Sequence, residues 1–187
     1  RTNGYLSVVD YPDLQGIEPP DIEIFSKIIH SGQYPLSVLA TTTTNANHFT
    51  SQLYGNTMTG NPKALEIGYE TLKRMDERVV KNIQKQGVVF LNMLNKLQNQ
   101  FPTIISHVSG KGLLLALHIH PQYNVVSVDG LESICRHHGL NVIHGGENAL
   151  RFTPYVLIHE TEIQLIYELL HQSLNHLCQL KEMKEES

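Results

Sequence analysis

Lys27 is the first residue whose surroundings suggest chemistry. It follows the apolar run Ile22-Glu23-Ile24-Phe25 and precedes Ile28-Ile29. Burial at a strand end among apolar residues would disfavour its ammonium form, and a free amine attacks carbonyl carbon. That is what a Schiff-base lysine requires; the plain alternative is a solvated surface charge. Further along, Gly55-Asn56-Thr57-Met58-Thr59-Gly60-Asn61-Pro62 combines glycines, hydroxyls and a helix start. Backbone N–H groups, threonine hydroxyls and the positive helix terminus would together suit an anion. The alternative is a loop that ends in a capped helix. Arg151 lies in Leu150-Arg151-Phe152-Thr153-Pro154. An arginine inside an apolar, strand-like segment is costly unless paired. Its partner would be a substrate carboxylate gripped by the guanidinium fork, or an internal Asp or Glu.

Eleven histidines call for a metal check. His118 and His120 would share one face of a strand, and His137, His138 and His144 are close in sequence. No carboxylate or cysteine completes a ligand spacing, so no metal is expected. No nucleophile-elbow pattern occurs. Cys135 and Cys178 fall in helical patterns rather than a disulfide framework, which points to a reducing cytoplasm. Fourteen Lys and Arg against eighteen Asp and Glu give a net charge of -4 with no basic patch, so nucleic acid is not an expected partner. No apolar run approaches the ~18 residues of a membrane helix. The chain opens on Arg1 without a leader pattern and reads as a fragment.

The elements that must position these residues follow from periodicity. Residues 5–21, rich in Pro, Gly and Asp, read as loop. Residues 22–25 and 36–40 read as short strands on either side of Lys27. Asn61-Pro62 is a helix start, with Asn61 as N-cap and Pro62 at the first position. Leu65, Leu72, Met75, Val79 and Ile83 follow as one helical stripe, with Gly87 as a candidate break and Leu91, Leu94 and Leu97 beyond it. Residues 113–120 suggest a strand, 129–138 a helix stopped by Gly139, and 141–144 and 150–152 two more strands. Thr161 with Gln164 forms a capping-box pattern. It precedes an amphipathic helix through Ile163, Ile166, Leu170, Leu174 and Leu177, with fraying expected from Lys181.

Several segments then line up with one family. Pro20-Asp21-Ile22, Ser26-Lys27-Ile28-Ile29-His30-Ser31-Gly32-Gln33-Tyr34-Pro35, Thr57-Met58-Thr59-Gly60-Asn61-Pro62, Gly110-Lys111-Gly112-Leu113 and Leu150-Arg151-Phe152-Thr153-Pro154 resemble segments of the class III (ω-) aminotransferases, in order and in spacing. Arg1-Thr2-Asn3-Gly4 resembles the Arg-Thr-Gly that follows the family's cofactor-binding Asp. The resemblance implies an α/β fold, the carboxy-terminal part of a fold-type I pyridoxal-phosphate (PLP) transferase. Residues 1–61 would end the large domain, 62–100 would be linking helices, and 101–187 a small α+β domain. It implies that Lys27 forms the Schiff base with PLP and shuttles the substrate proton. Thr57 would bind the cofactor phosphate of a neighbouring subunit in a homodimer with shared sites. Arg151 would hold the carboxylate of glutamate or 2-oxoglutarate.

The implied activity is transfer of an amino group from an amine or ω-amino acid to a 2-oxo acid. Ser26 and Ser31 stand where the family has glycines, and Met58-Thr59 leans toward the glutamate-1-semialdehyde aminomutases, whereas Arg151 leans back toward the aminotransferases. An aminomutase and a non-catalytic aminotransferase-like binding module are the alternatives. The family's phosphate loop, its stacking aromatic and its Asp for the pyridine nitrogen are not in this sequence, so the stretch alone is expected to hold PLP weakly and not to transaminate.

Overall fold

A computed structural model of the chain describes residues 4–50 and 57–185. It contains two compact units, one running from Tyr5 to Arg78 and the other from Val79 onward, the latter also taking in Gly4. The division falls inside the 62–100 stretch read as linking helices.

In the first unit, β1 (Ile22–Phe25) and β2 (Val38–Thr41) pair antiparallel, with Ile22 opposite Thr41 and Phe25 opposite Val38. The first strand is as expected; the second starts later than residue 36. The Leu36 carbonyl accepts from the Ser26 hydroxyl at 3.1 Å rather than joining the ladder. A single-turn helix, Lys27–His30, connects the strands. The polar stretch after β2 holds a short helix, α1 (Thr43–Ala46), whose Thr42 cap accepts from the Asn45 N–H at 3.3 Å. Helix α2 (Pro62–Lys73) starts as the sequence indicates: Asn61 Oδ1 accepts from the N–H groups of Lys63 at 3.0 Å and Ala64 at 3.2 Å.

The expected single stripe from Leu65 to Ile83 is instead divided between two helices. Arg74 N–H turns back to Glu70 and Thr71, and Met75 N–H to Leu72, before α3 (Glu77–Gln100) begins. Leu65 and Leu72 are exposed, and Ala64 and Gly68 are the buried positions of α2. The seven-residue spacing from Leu65 to Leu72 therefore marks no core stripe.

In the second unit α3 runs straight through Gly87. An ideal Cβ there would sit 2.6 Å from Gly112 Cα, so the glycine permits close approach and is no breaker. Four strands form an antiparallel sheet in the order β3 (Ile105–Lys111), β4 (Leu114–Ile119), β6 (Ala149–Phe152), β5 (Ile143–Gly145). Strand β3 was not expected. A register irregularity between Ile105 and His107 breaks its alternation, which hides a strand from a period-2 reading. Helix α4 (Leu131–His137) precedes Gly139, whose φ of +88° ends it.

Helix α5 (Glu160–Glu185) is capped two residues earlier than the Thr161 pattern suggested: the Glu162 carboxylate accepts from His159 N–H at 2.8 Å. It continues through Lys181, whose ammonium lies over the Tyr123 ring at 4.5 Å. Leu115, Leu117, Leu150 and Phe152 of the sheet are buried with Phe90 and Leu94 of α3 and Ile163, Leu170 and Leu174 of α5. The Phe90 and Phe152 rings meet edge-on at 5.3 Å. At the end of β4, Asn148 Nδ2 donates to the carbonyls of Ile119 (3.1 Å), His120 (3.3 Å) and Tyr123 (2.8 Å), while its Oδ1 accepts from Val125 N–H at 3.0 Å. Among the described residues no helix is long and apolar enough to cross a membrane.

Candidate active site

Lys27 sits immediately after β1, in the first unit. Ser26 is fully extended (φ -154°, ψ -170°) and Lys27 then switches to φ +59°, a left-handed value that a lysine adopts at a cost of about 1–2 kcal/mol. Ser31, at φ +49°, closes the same turn. Of the apolar residues around the lysine, Ile29 is buried and anchors the turn, which packs on α2. Lys27 itself is exposed, so the burial expected from its neighbours is not found in this chain. The other end of the segment is held by polar contacts: Ser26 Oγ donates to the Leu36 carbonyl, and Ser37 Oγ donates to Ser26 Oγ at 3.0 Å. Sequence reasoning missed this pair, because nothing in the spacing of residues 26 and 37 announces their contact.

Thr57 belongs to the same unit, in the turns that lead to α2, and is exposed. Gly55 and Asn56, counted in the anion motif, and the Arg1-Thr2-Asn3 portion of the opening match lie outside the described residues. The helix start offers less than expected. Pro62 has no N–H, those of Lys63 and Ala64 are taken by Asn61 Oδ1, and that of Leu65 by the Asn61 carbonyl at 3.0 Å. The α2 terminus therefore contributes its dipole, and among the described residues of the motif the hydroxyls of Thr57 and Thr59 are side-chain donors. A cavity of about 640 Å³ opens beside Thr59, lined also by Leu36, Val38, Phe49, Met58 and Leu65.

Arg151 lies in β6 of the second unit, opposite Ala116 on β4 and Ile143 on β5. Its apolar neighbours Leu150 and Phe152 are buried on the other side of the strand, while Arg151 is exposed. The desolvation cost read from the sequence is thus avoided by alternation. Gly145 leaves room for the arginine's stem: a Cβ there would be 3.1 Å from Arg151 Cβ and 3.5 Å from its Cδ. Among the described residues no carboxylate pairs with Arg151. A cavity of about 210 Å³ adjoins it, walled by Phe90, Val142, Ile143, Pro154 and Ile166.

The histidines are engaged separately. His118 does not share a strand face with His120, because β4 ends at Ile119. It stacks instead on His107 at 3.9 Å and shares a 2.8 Å hydrogen bond with Ser109. Burial, then the neighbouring His107, lowers its pKa below the usual imidazole value. His144 Nδ1 contacts Glu132 at 2.7 Å, and that hydrogen bond holds the carboxyl below the usual range, with Arg136 on its other oxygen at 2.9 Å. His138 meets His176 at 3.3 Å. No group of three or more His, Cys, Asp or Glu among the described residues could hold a metal ion. Cys135 is buried and Cys178 half-buried, both as free thiols; burial pushes the Cys135 thiol up to about 11.

A family model described as aminotransferase class-III matches residues 13–174. The mitochondrial acetylornithine aminotransferase of Neurospora crassa is 32% identical over 155 residues, 82% of this chain and 32% of that protein. The acetylornithine/succinyldiaminopimelate aminotransferase of Photorhabdus laumondii is 31% identical over 159 residues, 84% of this chain and 39% of that protein. The solved acetylornithine aminotransferase of Elizabethkingia anophelis matches with a TM-score of 0.78 at 24% identity, over 92% of this chain and 42% of that one, a likeness of fold. The chain spans roughly a third to two fifths of the length of these curated relatives. With most of its length matched by the family model, and with the mixed α/β architecture of part of a fold-type I transferase, the chain belongs to the PLP-dependent class III aminotransferases.

Proposed function

We propose that this chain is the lysine-bearing part of an enzyme that moves an amino group from an amine or ω-amino acid to a 2-oxo acid, with 2-oxoglutarate as the acceptor. The observation that carries the reading is Lys27: an exposed amine at a strand end, on a turn locked by hydrogen bonds, inside a match to this family. The donor set suits pyridoxal phosphate. An aldehyde needs an amine, a phosphate needs donors, and the first unit presents Lys27 Nζ and the Thr57 hydroxyl to solvent. When bound, the cofactor supplies the electron sink. Lys27 Nζ would hold the cofactor by its aldehyde and, when free, would move the proton at the substrate carbon as a general base. Thr57 Oγ1 donates to a phosphate oxygen, that of the partner subunit's cofactor in a homodimer with shared sites. Arg151, exposed and with no carboxylate partner among the described residues, donates two parallel N–H bonds to the acceptor's carboxylate.

In this reading residues 1–61 finish the large domain, 62–100 link, and 101–187 form the small domain. Two unpaired thiols support a reducing compartment such as the cytoplasm, although the Neurospora crassa relative is named as mitochondrial. The test is Lys27→Ala in the intact protein. Transamination between an ω-amino donor and 2-oxoglutarate should fall by roughly 10²–10⁴ or more, with the far-UV circular dichroism unchanged. Turnover near the wild-type value would refute the assignment.

A further inference from the structure

The two left-handed non-glycine residues among the described part of the chain, Lys27 and Ser31, bracket one single-turn helix. A strained backbone persists only where its surroundings over-determine it. On the carboxy-terminal side Ile29 is buried and seats the turn on α2. On the amino-terminal side the restraint is a polar chain. Ser37 Oγ donates to Ser26 Oγ at 3.0 Å, and Ser26 Oγ donates to the Leu36 carbonyl at 3.1 Å. The Ser26 hydroxyl thus uses its one proton and one lone pair on Leu36 and Ser37, just before β2. It ties the residue before Lys27 to the chain ten residues later, closing a loop whose single projecting amine is that of Lys27. Ser26 is extended, a conformation that alanine or threonine adopts equally well, so the hydroxyl and not the backbone preference distinguishes serine here.

We infer that Ser26, clamped between the Leu36 carbonyl and the Ser37 hydroxyl, is a positioning residue that holds Lys27 in its left-handed conformation and so fixes where its amine meets an aldehyde cofactor. The inference rests on the reading of Lys27 as the cofactor lysine. In this inference Ser26 acts through the Lys27 backbone. Without the clamp Lys27 relaxes to ordinary φ and its amine samples a wider arc, so the productive geometry is reached less often. One neutral hydrogen bond sets the scale, about three- to tenfold.

The test uses the intact protein depleted of cofactor and mixed with pyridoxal 5'-phosphate. Short pulses of borohydride deliver hydride to the imine carbon while solvent protonates the nitrogen, leaving a stable pyridoxyl-lysine; peptide mapping then gives the share of label on Lys27 against the other lysines. The expected result is a Lys27 share that rises quickly in wild type, about three- to tenfold more slowly in Ser26→Ala, and at the wild-type rate again in Ser26→Thr. Ser37→Ala, which leaves the bond to Leu36, should slow it less. Thermal melts identify a variant that has lost its fold; if Ser26→Ala has, the Ser37→Ala and Ser26→Thr comparison decides. Equal labelling of Lys27 in wild type, Ser26→Ala and Ser37→Ala overturns the inference and leaves the lysine assignment standing. Label in wild type that does not favour Lys27 overturns that assignment and this inference with it.

Discussion

Replacing Gly87 by alanine is a severe test of the second unit's packing. In most helices the change stabilises by up to about 1 kcal/mol, because glycine is a poor helix residue. Here the new methyl would meet Gly112 Cα at 2.6 Å and its carbonyl carbon and oxygen at 2.7 Å. Ordinary contact begins at 3.4 Å, so 0.8 Å must be found. None of the obstructing atoms belongs to a flexible side chain. Gly112 is buried, Leu113 beside it is fully buried, and α3 is pinned on either side of Gly87 by Ile83 and Phe90. Overpacking against backbone belongs at the upper end of the usual 1–3 kcal/mol, and after the helix gain a net loss of about 2 kcal/mol remains. That corresponds to a fall in Tm of roughly 8 °C or more for a unit of this size. The assay is thermal and urea unfolding by circular dichroism, with Val88→Ala, at a 61% exposed neighbouring position, as a control that should stay within about 0.5 kcal/mol. A Gly87→Ala protein as stable as wild type would show that α3 and the turn after β3 do not approach as described.

Arg151→Ala should lower kcat/KM for 2-oxoglutarate by roughly 10- to 150-fold, the scale of a charged hydrogen-bonded contact, while the amino-donor half-reaction changes little; an unchanged constant for the acceptor would assign the arginine another role. His118, with its pKa lowered in the folded state, binds fewer protons there than in the unfolded chain, so the stability present above about pH 6.5 is lost as the pH falls below it. His107→Gln should raise the His118 midpoint in an NMR titration, and an unmoved midpoint would deny the coupling. Cys135 is raised from 9.0 to about 11, so the folded state holds its proton longer and stability falls as pH rises through that window, by about 2–3 kcal/mol at its top. Cys135→Ala should flatten that part of the stability curve, and an equally steep decline in the variant would place its cause elsewhere.

What was legible in the sequence follows the range of the physics involved. Strand β1, the Asn61 cap and the buried face of α5 depend on nearest neighbours or a short period, and they stand where the spacing puts them. Strand β3 was hidden by its irregular register, and the gap between α2 and α3 by apolar residues that happen to keep helical spacing. Gly87 read as a breaker because its partner, Gly112, is far along the chain. The candidate site shows the same limit. Lys27, Thr57 and Arg151 could be singled out by type and motif, but their exposure could not be, nor could the Ser26–Ser37 clamp, nor the use of the first α2 N–H groups by Asn61. Each of those depends on which face a residue takes or on a contact that only the folded chain makes.

The single amide of Asn148 has a bearing on how the protein ages. Its nitrogen serves three carbonyls between Ile119 and Tyr123, and its oxygen serves Val125. Slow hydrolysis of that amide exchanges one NH2 for oxygen, with almost no change in shape. The product is an aspartate whose new oxygen faces three acceptors with nothing to donate, and each carbonyl stripped of its partner costs about 1–3 kcal/mol. One spontaneous event, invisible to a size measurement and plain to an ion-exchange column, would thus loosen the segment after β4 more than most substitutions on the surface. Old preparations should therefore be judged by charge heterogeneity before any loss of activity is blamed on the cofactor.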